Sequence, residues 1–94
     1  MIKRTDRNHK QIIDQLRKIP GISVFSTHAI GKGFPDIVVG YKDQNYLFEI
    51  KDELKPASQK KLTLAEICFQ MNWKGQYDIV ENFTQILSII KIKI

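Results

Sequence analysis

The stretch "GFPDIVVGYKDQNYLFEIKDE", residues 33 to 53, decides how this chain folds. Two apolar runs, residues 36–41 and 46–52, flank "KDQN", whose composition is that of a turn, so the runs read as an antiparallel hairpin. Side chains alternate along a strand, which puts Tyr46, Phe48 and Ile50 on one face and Leu47, Glu49 and Lys51 on the other. Asp36 opens the first strand and Glu49 lies near the end of the second. Pairing therefore sets two carboxylates side by side although they are 13 positions apart.

Two unpaired carboxylates in a partly dry site repel each other unless a cation lies between them. Hard oxygen donors suit Mg²⁺ or Mn²⁺, and the backbone carbonyl of Ile50 can complete the protein's share of the ligands, with water and a substrate phosphate taking the rest. Lys51, on the same face as Glu49, can orient an attacking water or help to deprotonate it, and can offset phosphate charge. The unit reads as a site for phosphodiester hydrolysis. The plainer explanation makes Asp36 a turn residue after Pro35 and the Glu49/Lys51 pair a solvated sheet face.

Outside the hairpin, Ile12, Ile13, Leu16 and Ile19 recur at helical spacing, with Asn8 as N-cap, Gln11 as its capping-box partner and Pro20-Gly21 as the stop. "ISVFSTHAI" predicts a strand before the loop Gly31-Lys32-Gly33, whose glycines serve either a tight turn or the close approach of a phosphate. "ELKPASQKK" is an exposed, lysine-rich loop. Thr63-x-x-Glu66 is a capping box that starts a second helix with the apolar stripe Leu64, Ile67, Cys68 and Met71, and Phe69, Trp73 and Cys68 are expected to pack inward. "GQYDIV" is a further strand and Asn82 caps a last helix carrying Phe83, Ile86, Leu87 and Ile90; the tail "KIKI" alternates. The order α-β-β-β-α-β-α predicts an α/β domain, 1–94, with a small mixed sheet flanked by helices. The helical crossover makes the last two strands parallel.

With 15 Lys and Arg against 10 Asp and Glu the formal charge is +5, which favours a polyanionic partner. Lys32, Lys55, Lys60 and Lys61 are near the proposed site in sequence and are candidate phosphate contacts; they set affinity rather than sequence preference. One cysteine, Cys68, excludes an intrachain disulfide and fits a reducing, intracellular, cytoplasmic location. No run of about 18 apolar residues is present, and the N-terminus lacks a signal-peptide core, so no membrane role is expected.

Pro35-Asp36, a spacer of hairpin length and Glu49-Ile50-Lys51 resemble the signature of the PD-(D/E)XK nucleases. The wider string, "GKGFPD", "YLFEIKD", a Lys/Pro/Ser loop, "LTLAE" and "WKGQYDIVEN", is similar to the stand-alone VRR-NUC type of phages and prophages, over about Asn8 to Leu87. The resemblance implies a restriction-endonuclease-like core and a divalent-metal-dependent DNA endonuclease, with Asp36 and Glu49 as ligands and Lys51 as the catalytic lysine. It further implies a homodimer acting on branched DNA such as four-way junctions. Many members carry a glutamate on the first helix that reaches the metal; by the same alignment that position is Gln11 here. The alternative is a catalytically weak or inactive nuclease-fold module that binds DNA.

Overall fold

The computed structural model describes residues 8–92. They form a small mixed α/β domain of three α-helices and a four-stranded sheet in the order β1-β2-β3-β4. The hairpin at its centre is β2 (Ile37–Tyr41) and β3 (Gln44–Ile50), antiparallel with Ile37 opposite Phe48 and Tyr41 opposite Gln44. The turn is tighter than "KDQN" implies. Lys42 and Asp43 alone make it, both left-handed at φ 49° and 65°, as a two-residue hairpin turn requires, and Gln44 and Asn45 join the strand.

Helix α1 (Asn8–Arg17) precedes the sheet and buries His9, Ile12, Ile13 and Leu16 on one face. Asn8 lies inside the helix rather than capping it. Its side-chain amide donates to the carbonyls of Lys51 and Glu81, 3.3 and 3.1 Å away, and so ties α1 to the ends of two strands. Strand β1 (Ile22–Ser26) pairs antiparallel with β2 and is shorter than its β-branched sequence predicts. At Thr27 the N–H donates to the carbonyl of Asp36 (2.8 Å) and the hydroxyl to that of Pro35 (2.7 Å), which bends the chain into a 3₁₀ turn, His28–Ile30. These bonds to residues eight and nine positions away override strand propensity and lift His28 out of the sheet.

Helix α2 (Leu64–Asn72) starts at Thr63 with the expected reciprocal capping box, and strand β4 (Asp78–Val80) pairs parallel with β3. Helix α3 (Phe83–Ile90) starts at Asn82, whose side chain accepts from the N–H of Gln85. Lys91, left-handed at φ 64°, closes that helix, and the rest of the "KIKI" tail lies partly outside the described residues. The core lies on one sheet face, where Ile37, Val39, Phe48, Ile50 and Val80 meet Ile12, Ile13 and Leu16 of α1 and Ile86, Leu87 and Ile90 of α3. Among the described residues no helix is long and apolar enough to cross a membrane.

The opposite face carries Glu49 and Lys51 and is only partly covered, by α2. The expected stripe on that helix does not bury: Leu64 is 77% and Met71 75% exposed, and Ile67 and Cys68 are exposed as well. Trp73 is also exposed, stacked on Phe69 with ring centres 5.1 Å apart. Instead α2 is held by Phe69, whose ring meets Phe34 and Tyr77 at 5.4 and 5.5 Å, by the Glu66–Lys51 ion pair, and by a backbone contact at Gly33. Gly33 has φ +81°, and a Cβ there would collide with the carbonyl of Ala65. The space at this glycine is thus filled by α2, not left for a phosphate. Gly33→Ala combines a disfavoured backbone angle with an overlap against rigid backbone, so it is expected to lower stability by about 2 to 4 kcal/mol, measured by urea unfolding.

Candidate functional site

Asp36 is held by backbone before its side chain does anything. Its N–H donates to the carbonyl of Phe48 (2.9 Å), extending the hairpin by one step beyond the last paired residues. The carboxylate then accepts from the N–H of Ile50 through Oδ2 (2.7 Å), while Oδ1 lies 3.1 Å from Nδ1 of His28. The short distance to Ile50 is that of a charge-assisted bond, and it pins the end of β3 beside the start of β2.

Glu49, next along the same sheet face, is 3% exposed. Its Oε2 is 3.5 Å from the ammonium of Lys51, and its Oε1 is buried without a hydrogen-bond partner. Burial first, and then the negative charge of Asp36, push the Glu49 carboxyl up to about 9, so it holds a proton through neutral pH. A third acid comes from α2. Glu66, at the N3 position of the capping box, accepts from the N–H of Thr63 (2.8 Å) with the same Oε1 that lies 3.2 Å from Nζ of Lys51.

Burial works against the Glu66 anion, but the Thr63 N–H, the Glu49 carboxyl and the Lys51 charge outweigh it and hold Glu66 below the usual carboxylate range. Burial likewise works against the Lys51 ammonium, and its bond to Glu66 with the surrounding acids Glu66, Glu49 and Asp36 outweighs that too, leaving the lysine above its usual range. Tyr77, whose hydroxyl is buried without a hydrogen-bond partner, is pushed up by burial and by Glu49. The centre therefore places three acids around one lysine, and the excess negative charge is relieved by protonating Glu49.

Asp36, Glu49, Ile50, Lys51 and Lys32 line one cleft of about 390 Å³, together with His28 and Glu66. The structure thus unites most of the residues that the sequence pattern selects. Gln11 is elsewhere: it is exposed and lines a separate cleft of about 460 Å³ with Gln15, Asp52 and Glu53. The reason is helical phase. Positions 9, 12, 13 and 16 share the buried face of α1, so His9 turns inward and position 11 turns outward. Of the remaining lysines, Lys60 is bound to Glu81 at 3.0 Å, Lys55 is half-buried and Lys61 is exposed; none lines the cleft.

Three residues at this centre escape the sequence pattern: His9, His28 and Glu66. His9 was legible, since it precedes Ile12 and Ile13 by the three- and four-residue steps of the buried stripe. Glu66 was visible only as a cap. His28 required the 3₁₀ turn, which no periodicity announces.

Against known proteins, no family model matches this chain, and no characterised protein or solved structure matches it.

The raised Glu49 carboxyl makes a stability prediction. A group whose folded value is about 9 and whose ordinary value is 4.5 binds more protons folded than unfolded. The stability it contributes is complete in acid and is lost as pH rises toward the folded value. Glu49→Gln, neutral at every pH, is therefore expected to melt close to wild type at about pH 5 and clearly above it at about pH 8.5, read by thermal unfolding without added metal.

Proposed function

We propose that this protein is a divalent-metal-dependent DNA endonuclease of the PD-(D/E)XK superfamily, of the stand-alone VRR-NUC type, acting on branched DNA. The observation that carries the reading is Glu49: a carboxyl with one buried oxygen lacking a hydrogen-bond partner, beside Asp36 and Lys51, on the sheet face away from the core. Its acidic neighbours Asp36 and Glu66 leave the carboxyl to be satisfied either by a proton, as in the chain alone, or by a bound cation. A buried carboxyl within the electrostatic reach of a second carboxylate fits a cation.

Asp36 and Glu49, with the carbonyl of Ile50, would hold Mg²⁺ or Mn²⁺. When bound, the metal supplies charge neutralisation at a phosphate oxygen and a water of lowered pKa. Of the two roles open to Lys51, the retained ammonium supports orienting a water and offsetting phosphate charge over accepting a proton. On this reading Lys32, exposed at the rim of the cleft, would contact the phosphate backbone, exposed Lys61 would add to the grip away from the cleft, and Lys60 would exchange Glu81 for a phosphate. A mixed sheet with the acids on the hairpin and a parallel fourth strand supports a restriction-endonuclease-like core.

The exposed stripe Leu64, Ile67 and Met71 supports the homodimer that paired cuts across a junction need. The second reading, a binding module of weak or no activity, is favoured by the lock that Glu66 places on Lys51.

Cleavage of junction, flap, single-stranded and duplex DNA should require Mg²⁺ or Mn²⁺ and be removed by chelator. Asp36→Asn, which keeps an acceptor for the Ile50 N–H, should lower the rate by about 100-fold or more while DNA affinity and fold persist. Metal-independent, salt-sensitive binding without cleavage under any divalent metal would instead select the binding module. Sedimentation of Leu64→Lys/Met71→Lys should show monomer where wild type shows dimer.

A further inference from the structure

At the cleft wall, where His28 and Asp36 meet the buried His9 behind them, lies a second donor set that the hairpin pattern does not include. A nitrogen of His9, a nitrogen of His28 and a carboxylate oxygen of Asp36 all lie within 4.8 Å of one another. They come from three parts of the chain: α1, the 3₁₀ turn and the residue before β2. We propose that His9, His28 and Asp36 form a site for a nitrogen-preferring divalent transition metal of the Zn²⁺ or Co²⁺ kind, adjoining the oxygen-rich corner at Glu49.

The chemistry of the donors separates this set from that corner. Two imidazoles and one carboxylate match the ligands of Zn²⁺ sites that keep a position open for water or substrate, whereas Mg²⁺ prefers oxygen alone. His9 is 4% exposed on the face of α1 otherwise filled by isoleucine and leucine, a place where packing alone would favour an apolar side chain. His28 meets it edge to face, with ring centres 5.6 Å apart and planes at 85°.

The Nδ1 of His28 lies 3.1 Å from Asp36, while its Nε2 is buried and makes no hydrogen bond. Ligands at about 2.1 Å around a tetrahedral ion sit about 3.4 Å apart, so the widest separations, up to 4.8 Å, would close by up to about 1.4 Å on binding. The plain alternative is a hydrogen-bonded His28–Asp36 pair beside a packed His9 ring, with no affinity for metal.

The site shares Asp36 with the proposed catalytic centre but does not depend on cleavage. The test uses the full chain, stripped with chelator and titrated with Co²⁺ alone. Visible d–d absorption should saturate at one equivalent. His28→Ala and His9→Gln, checked for folding by circular dichroism, should each weaken Co²⁺ binding by about 10- to 100-fold. Glu49→Gln should retain it while losing cleavage, which separates this site from the catalytic reading.

The sequence holds 2 histidines, so an independent check needs no variant: adding Zn²⁺ to wild type should shift the imidazole ¹⁵N signals of both. Absence of a Co²⁺ spectrum, or imidazole signals unmoved by Zn²⁺, would overturn the assignment. So would binding lost in Glu49→Gln but unchanged in both histidine variants.

Discussion

The bond from the Ile50 N–H to Oδ2 of Asp36 is the contact on which the rest of this structure depends. Backbone pairing of β2 with β3 ends with the Asp36 N–H to Phe48 carbonyl bond, so the last residues of β3, which β4 pairs on their other edge, have only this carboxylate to tie them on the β2 side. The carboxylate supplies that tie with a charge-assisted acceptor, and one residue later the N–H of Lys51 turns to the carbonyl of Val80 on β4. Between those two anchors the orientation of Glu49 and Lys51 follows from the pleat. Asp36 is thus both the splice between three strands and one wall of the cleft.

Placing acids on this face has an electrostatic cost that the fold relieves in two ways. Glu49 keeps its proton, and the Lys51 ammonium is shared between Glu49 and Glu66. Both arrangements are fully formed in the chain by itself, and each occupies a group that the proposed cation or phosphate would use. The sheet face toward α1 and α3 carries the packing, so the acidic face can tolerate this strain without losing the core. That division of labour between two faces of one small sheet is what makes a buried acid cluster affordable in so short a chain.

Helix α2 joins the two halves of this arrangement. Glu66 serves the helix as its capping residue and the cleft as a counter-charge to Lys51, through the same oxygen. Because the helix rests on Gly33 and on a few aromatic contacts, most of its apolar side chains stay outside. Its amphipathic spacing is real, but spacing reports only that one side is apolar and not whether the chain has anything to lay against it.

Local pattern was enough to establish the hairpin, the parallel return of β4, the caps at Thr63 and Asn82, and the convergence of Asp36, Glu49 and Lys51. Each of these rests on alternation, turn chemistry or short-range hydrogen bonds, which nearest neighbours in the sequence specify. Tertiary structure alone decided the rest. Thr27 ended β1 early through bonds to residues eight and nine positions away, which brought His28 to Asp36. The phase of α1 against the sheet turned His9 inward and Gln11 outward, and the docking of α2 brought Glu66 to Lys51. Those outcomes depend on how whole elements pack, and a short window of sequence cannot contain the distances that packing sets.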